Sequence, residues 1–257
     1  MRMSLRDAMG SLTTGLADLL MPQTCAACDA SLVSAAGLCS QCNIRLLQLV
    51  SLPYCPRCGA TIGPNIPVRD DGCGLCPATL GRFSRVIRLG PYAHPLRRAI
   101  QHLKYDRQEV ILGRLGEMLA EAVRVGCDGT SFDLIMPVPM HWRRRLARGY
   151  DHARGLAREL GQRLDLPVGE ELIRTRYTPQ QARLSRTQRI ISVRGAFGLA
   201  GRANLSGTRV LLVDDVTTTG ATANEATRTL LAGGVADVVL AVLAKAEPPR
   251  AYTQHWS

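Results

Sequence analysis

Apolar positions along most of this chain follow two alternating patterns, short β-branched runs and longer stretches with helical spacing. The short runs predict buried strands at residues 85–89, 132–139, near 172 and 210–213. The longer stretches predict helices at residues 94–104, 109–125, 150–164 and 221–231. Because strands alternate with helices, we expect an α/β fold with a parallel sheet covered on both faces, and ligands at the carboxyl ends of its strands.

One predicted strand, residues 210–213, leads directly into two acids, Asp214 and Asp215. A threonine-rich turn and the start of a helix follow: Val216, Thr217, Thr218, Thr219, Gly220, Ala221 and Thr222. Backbone N–H groups and the positive end of a helix dipole at such a turn favour a phosphate, and Gly220 lets the backbone approach it. The acids suit a ribose diol, or a magnesium ion held through water. An acid pair alone is typical of an ordinary strand end, but the whole combination predicts a ribose-phosphate site.

Most of the cysteines form Cys-x-x-Cys pairs in the N-terminal part of the chain. Eight of the nine belong to the pairs Cys25/Cys28, Cys39/Cys42, Cys55/Cys58 and Cys73/Cys76. Two pairs complete a tetrahedral site with four thiolate ligands, so the eight predict two structural zinc ions. We expect sequential pairing, first with second and third with fourth, and a cross-braced arrangement is the alternative. Apolar periodicity is weak between residues 24 and 80, so metal binding is expected to supply the folding free energy there.

Iron–sulfur clusters and redox-active pairs are the other uses of such cysteines. Redox pairs are disfavoured because the four pairs are close together and lack the βαβ pattern of a thioredoxin-like fold. A zinc site with four protein ligands leaves no position open for catalysis. The ninth cysteine, Cys127, lies at a predicted helix end and is expected to be a small buried residue rather than a nucleophile.

The charge balance indicates an anionic partner. Among 257 residues, 32 Lys and Arg oppose 21 Asp and Glu, which gives a formal net charge of +11. Phosphate compounds, nucleic acid or an acidic protein surface would suit this charge. No apolar run is long enough to span a bilayer, and charged residues within residues 1–20 (Arg2, Arg6, Asp7 and Asp18) interrupt the apolar core that a signal peptide needs. We therefore expect a cytoplasmic protein without membrane insertion, whose cysteines stay reduced.

Arginines are concentrated between the two predicted ligand-side loops, at positions 143–145, 148, 174, 176, 183, 186, 189 and 194. A solvated basic face is the simplest explanation for many of them. Residues 175–194 are nonetheless too polar and too long for a simple connection in a compact α/β domain, and loops of this length often close over ligands.

Taken together, the chain resembles the ComF family, bacterial proteins associated with natural competence that join a double zinc ribbon to a phosphoribosyltransferase domain. Besides the cysteine pairs, the resemblance rests on residues 103–105 (LKY), 137–141 (PVPMH), 148–150 (RGY), 179–185 (PQQARLS), 193–197 (VRGAF) and 214–222. It implies a type I phosphoribosyltransferase fold, doubly wound around a parallel sheet, with an N-terminal double zinc ribbon. The domains would be an N-terminal helix (1–22), the ribbon (23–80) and the phosphoribosyltransferase domain (81–257).

The resemblance implies chemistry on 5-phosphoribosyl-1-pyrophosphate (PRPP) with Mg²⁺, and an acceptor that the sequence leaves unknown. Residues 217–222 would cradle the 5-phosphate, and Asp214 and Asp215 would hold the ribose hydroxyls. The residues that would face the pyrophosphate are Pro139, Arg143, Arg144 and Arg145, and the predicted lid carries Arg183 and Arg189. Two departures concern this region, because the family usually has Asn-Gln in place of Asp151-His152 and Asn in place of Ser192.

A protein that handles nucleic acid is the second hypothesis. Its partners would be single-stranded DNA or competence and helicase proteins, and the PRPP pocket would be regulatory or vestigial. The charge and the ribbon favour this hypothesis. The scarcity of aromatic residues argues against it, because single-strand binding usually stacks bases on rings, although Trp142, Tyr150 and Tyr177 accompany the later arginines.

Overall fold

The computed structural model describes residues 24–32, 37–63, 66–69, 72–74, 76, 81–103, 109–127, 129–142, 146, 150–177, 186–201 and 204–247. The helices are α1 Ser40–Val50, α2 Leu96–Leu103, α3 Glu109–Gly126, α4 His152–Leu164, α5 Arg186–Val193 and α6 Ala221–Ala232. The strands are β1 Val68–Arg69, β2 Gly72–Cys73, β3 Arg85–Pro91, β4 Leu134–Pro137, β5 Leu172–Arg174, β6 Phe197–Leu199, β7 Arg209–Thr217 and β8 Asp237–Lys245. The predicted N-terminal helix, residues 1–22, lies outside the described residues.

Four parallel strands form the central sheet in the order β3-β8-β7-β4. Strand β7 is an interior strand, paired with β8 along its whole length and with β4 over four residues. Its apolar residues 210–213 are all buried, as are the seven central residues of β8. Such continuous apolar runs are typical of parallel strands with helices on both faces. The predicted α/β class with a parallel sheet is confirmed.

Each face of this sheet carries an apolar layer. Alternate residues of β7 belong to opposite layers, Leu211 and Val213 to one and Val210 and Leu212 to the other. Helices α2, α3 and α4 cover the first layer, whereas α6 and the antiparallel pair β5–β6 cover the second. Covering elements on both faces make the sheet doubly wound.

The cysteine-rich segment divides between this core and a small cluster of its own. Its first part is buried in the layer beneath α2 and α3, where α1 contributes Leu46 and Leu49. Helix α1, which the sequence did not predict, begins after Cys39, whose Sγ accepts the N–H of Cys42 at 3.5 Å. The second part buries Cys55, Cys58 and Cys73 in a separate apolar cluster.

Two predicted elements differ from the observed ones. Strand β7 continues through Thr217 because β8 pairs with it up to Lys245, so Asp214 and Asp215 lie inside the strand. Part of the predicted loop 175–194 is helical and forms α5. Among the described helices, none combines the length and the apolar character needed to cross a membrane.

Candidate functional site

The threonine-rich turn joins β7 to α6 at the carboxyl edge of the sheet. Gly220 precedes the helix with φ of 76°, a left-handed conformation that a side chain would strain. Thr219 Oγ1 accepts the N–H of Ala221 at 3.3 Å, and Thr217 is buried beneath the turn. The first N–H groups of α6 lie at this turn, where the helix dipole favours an anion. The local geometry thus fits a phosphate cradle.

The acid pair precedes the turn within β7. Each carboxylate accepts the N–H of the next residue, Asp214 Oδ1 that of Asp215 at 2.9 Å and Asp215 Oδ1 that of Val216 at 2.6 Å. Both acids are half-buried. These bonds orient the carboxylates at the edge where the turn begins, and carboxylate oxygens in such a place suit sugar hydroxyls or a hydrated Mg²⁺.

Three contacts from segments outside the predicted site support the turn, and the sequence did not predict them. The N–H of Ala246 donates to the carbonyl of Thr217 at 2.8 Å, and Lys245 Nζ donates to the carbonyl of Thr218. Phe83, a buried residue, packs beside the glycine of the turn. None of these residues belongs to a motif, so no sequence signal marks them. The backbone of the turn is held by segments that are remote in sequence.

A second turn lies next to the acid pair. The N–H of Val138 donates to the carbonyl of the residue before the acids at 2.8 Å, and half-buried Pro139 follows. Beyond it, His141 is buried and contacts the rings of Trp142 and Tyr177, with centroids 5.6 and 5.2 Å from its own. The turn after β4 and the acid pair therefore share one edge of the sheet.

The described residues include only part of the arginine-rich segments. Arg143, Arg144, Arg145 and Arg183 lie outside them, as does the side chain of Arg189, whose backbone belongs to α5. The residue that follows the predicted lid, Gly195, is bonded to α6, because its N–H donates to Glu225 at 2.6 Å. Glu225 also pairs with Arg228 of the same helix at 2.7 Å. Burial raises the pKa of Glu225, but the bonds from Arg228 and Gly195 outweigh it and hold this pKa below its usual range.

A cavity of about 240 Å³ lies beside the turn after β4. Asp151, Arg154 and Glu170 are among the residues that line it. Asp151 caps α4 by accepting the N–H of Arg154 at 3.2 Å, and the Arg154 side chain pairs with Glu170. His152 is buried at the start of the same helix. Asp151, where the family pattern has Asn, therefore has a capping role, and Asn is an equally good cap.

Eight cysteines form two candidate metal centres. In each centre the four sulfur atoms lie within 4.8 Å of one another, and the grouping follows the predicted sequential pairing: Cys25, Cys28, Cys39 and Cys42, then Cys55, Cys58, Cys73 and Cys76. The separations between sulfurs include 3.7 Å for Cys28 and Cys39, 3.7 Å for Cys55 and Cys76, and 3.8 Å for Cys58 and Cys73. Tetrahedral zinc with Zn–S bonds of about 2.3 Å requires sulfurs about 3.8 Å apart. Both centres fit zinc.

The electrostatics of these thiols also favour a cation. Burial raises the pKa of Cys25, but backbone N–H groups, that of Cys39 foremost, outweigh it and lower this pKa to about 7. Burial and the neighbouring thiols raise the pKa of Cys42 and Cys58. Four adjacent thiolates therefore need a bound cation to be stable together. Cys127 belongs to neither centre, and burial raises its pKa, as predicted for an unreactive buried thiol.

Two protein families match the chain. The double zinc ribbon domain matches residues 16–80, and the phosphoribosyl transferase domain matches residues 117–255. Competence protein F of Haemophilus influenzae is 34% identical over 228 residues, covering 86% of this chain and 96% of that protein. DNA utilization protein YhgH is 32% identical in Salmonella typhi and 31% in Escherichia coli K12, again covering 86% of this chain and 96% of each relative.

Solved structures similar to the chain include a glutamine PRPP amidotransferase from B. subtilis, at 23% identity and a TM-score of 0.35 over 51% of this chain and 25% of that one. A purine phosphoribosyltransferase from Pyrococcus horikoshii has 20% identity and a TM-score of 0.34, over 52% of this chain and 72% of that one. The domain match and the doubly wound sheet identify a type I phosphoribosyltransferase fold with an N-terminal double zinc ribbon.

Proposed function

The chain belongs to the ComF family, and on that premise we propose that it binds PRPP with Mg²⁺ and transfers the phosphoribosyl group to an acceptor, releasing pyrophosphate. One observation carries the proposal. The left-handed Gly220 before α6, the acid pair and the turn after β4 occur together at one edge of the sheet. In open α/β sheets this edge is where ligands bind.

In this proposal each part of the edge holds one part of PRPP. The N–H groups and hydroxyls of residues 217–222 hold the 5-phosphate, and Asp214 and Asp215 hold the ribose hydroxyls. The pyrophosphate faces Pro139, Arg143, Arg144 and Arg145, and the segment with Arg183 and Arg189 excludes water. Mg²⁺, when bound, offsets the negative charge that develops on the leaving pyrophosphate.

The proposed reaction exchanges one bond at C1 of the ribose. The bond from C1 to the pyrophosphate oxygen breaks and its electron pair leaves with the pyrophosphate. A lone pair of the acceptor forms the new bond to C1, and the acceptor gives up a proton. Positive charge develops on the ribose in the transition state, so the carboxylates of Asp214 and Asp215 beside the ring would stabilise it.

Calorimetry tests the proposed site directly. Wild-type protein should bind PRPP in the presence of Mg²⁺, and Asp214→Asn plus Asp215→Asn should weaken binding by at least about a hundredfold, because two charged hydrogen-bond acceptors are lost. Asp237→Asn is the matched control, since Asp237 also accepts the next N–H, at 2.8 Å, but at the amino end of a strand. Unchanged binding in the double variant would contradict the site.

The acceptor can be sought with the same protein. A screen of bases, amines and nucleotides for pyrophosphate release from PRPP should identify a compound that accelerates release in wild-type protein and not in the double variant. PRPP binding without release in any mixture would instead support a regulatory pocket.

Binding of single-stranded DNA is a second candidate function, favoured by a surface of exposed rings. Trp142, Tyr150 and Tyr177 are 53%, 46% and 49% exposed, and His141 touches the first and the last. Exposed rings beside arginines suit base stacking, and the names of the relatives concern competence and DNA utilization. We therefore also propose a cytoplasmic role in DNA uptake, with single-stranded DNA or competence and helicase proteins as partners.

Fluorescence anisotropy with a labelled single strand at low salt tests this surface. Trp142→Ala plus Tyr177→Ala should weaken binding about tenfold or more, because removal of each ring removes the stacking contact with one base. Val125→Ala changes an exposed side chain on α3 and is the control. Equal affinity of the ring variant and the control, or no binding by wild-type protein, would contradict the DNA function.

A further inference from the structure

The second cysteine group, Cys55, Cys58, Cys73 and Cys76, packs against the edge of the central sheet. The carbonyl of Pro56 accepts the N–H of Val86 in edge strand β3 at 2.6 Å. Gly59 has φ of 73°, and a Cβ at this position would lie 3.0 Å from Val86 Cγ1. The first loop of this group thus approaches β3 closely, and a side chain at its end would be both crowded by Val86 and strained in its backbone.

One set of contacts connects this loop to the threonine-rich turn, residues 217–220. Arg57 lies between the two cysteines of the loop and donates to the carbonyls of Phe83 at 2.6 Å and Ser84 at 2.5 Å. Phe83 packs beside the glycine of the turn, and the neighbouring N–H of Arg82 donates to Asn224 Oδ1 in the first turn of α6 at 2.7 Å. Arg57 therefore holds the segment on which the turn and the start of α6 rest.

A buried polar cluster forms a second connection. Thr61 donates its N–H to Glu247 Oε1 at 2.6 Å, and its hydroxyl accepts from Arg88 Nη2 at 2.8 Å. The side chains of Arg88 and Glu247 are 0% and 5% exposed. Glu247 comes directly after Lys245 and Ala246, the two residues that donate to the carbonyls of the turn. The ribbon is thus bonded to the strand end that holds the turn.

We propose that Arg57, Thr61 and Glu247 are positioning residues for the turn formed by residues 217–220. Through them, the folded second cysteine group keeps the turn in one conformation and raises its affinity for a phosphorylated ribose. The effect on ligand affinity rests on the proposed function, whereas the effect on the conformation of the turn does not. Coupling between two sites is reciprocal, so a ligand at the turn should also stabilise the second group. The first group packs instead on the apolar layer under α2 and α3.

Amide hydrogen exchange on the full zinc-loaded chain without ligand tests the ordering. Arg57→Met should raise exchange in residues 214–222 about tenfold, because the support under the turn opens locally, and Arg57→Lys should restore part of the protection. Arg98→Met is the matched control, since Arg98 pairs with Asp29, next to the first group, at 2.9 Å. Glu247→Ala is a second variant if Arg57→Met loses zinc, because it removes the carboxylate that accepts the N–H of Thr61. Equal exchange at the turn in wild type and in the variants that keep both zinc ions would overturn the proposal.

PRPP binding and zinc release then test the affinity. Arg57→Met should weaken PRPP binding about fivefold to tenfold at unchanged zinc content, and PRPP should slow the release of one zinc ion to a chelator in wild type but not in this variant. If wild type fails to bind PRPP, the proposed function fails, and exchange still decides the positioning role. If both proteins bind PRPP equally, the positioning role in binding is wrong.

Discussion

The two cysteine groups have the same ligands and the same spacing within each pair, yet they are attached to the molecule in different ways. The first group shares the main apolar layer, where Cys25 and Cys42 are buried together with Leu46 and Leu49 of α1. The second forms a small cluster and reaches the sheet through polar contacts around Arg88. Two groups of four cysteines with the same spacing can therefore differ in whether apolar or polar contacts join them to the rest of the fold.

The residues that follow each pair explain this difference. After Cys39 the chain forms α1, which contains Cys42, and the spacing of Leu46 and Leu49 places both on its buried face. The second group instead encloses the short antiparallel strands β1 and β2, which bury little apolar surface. Loss of the first group should therefore weaken the whole fold, and loss of the second should act locally.

The largest expected effect comes from the metal centres themselves. Cys42→Ser should cost on the order of 10 kcal/mol if its zinc ion is lost, which is comparable to the whole stability of a domain. The main cooperative transition should then disappear, whereas Cys76→Ser should leave it in place with one zinc ion per chain. Thermal unfolding by circular dichroism with elemental analysis distinguishes them, and Cys127→Ser is the control for a buried thiol outside both groups. If Cys42→Ser and Cys76→Ser lower the thermal stability equally, the two cysteine groups do not differ in their importance for the fold.

The polar contacts of the second group are tested by Arg88→Met. This change leaves the buried Glu247 carboxylate without its cationic neighbour and should cost about 3–5 kcal/mol, measured by urea unfolding. Adding Glu247→Gln should recover part of the loss. Arg85→Met at the exposed start of the same strand is the control, and a comparable loss there would show that Arg88 has no special role.

The apolar attachment of the first group is tested by Leu46→Ala. Leu46 is 0% exposed, so truncation should cost about 3 kcal/mol in the free energy of unfolding. Ile44 lies on the same helix but is 57% exposed, and Ile44→Ala should stay within about 0.5 kcal/mol. Similar urea midpoints for the two variants would mean that α1 is not part of the main core.

The smallest effect is expected at the ion pair between the first group and α2. The side chains of Arg98 and Asp29 are 45% and 55% exposed, so water screens their attraction. Arg98→Met should change the free energy of unfolding by no more than about 0.5 kcal/mol. A loss near that of Leu46→Ala would show that polar contacts hold the first group as well.

The features that were predictable from the sequence are local ones. The four cysteine pairs and the strand-turn-helix pattern around Gly220 each occupy a short stretch, so composition and periodicity reveal them. Helix α1 escaped prediction because its apolar residues lie on both faces: Ile44 and Leu47 are exposed, whereas Leu46 and Leu49 are buried in a core built from segments remote in sequence. The carboxylates were expected after the strand, but pairing with β8 extends β7 past them. Such pairing depends on a neighbour that is remote in sequence.

By itself, the sequence determined the α/β class, the two groups of thiols and the strand-turn-helix pattern around Gly220, because residue type and spacing along the chain decide these. Only the tertiary structure decided that the first group joins the main core and that Arg57, Thr61 and Glu247 connect the second to the threonine-rich turn. The reason is physical: these contacts join segments far apart along the chain, and each depends on a buried position that no single segment specifies.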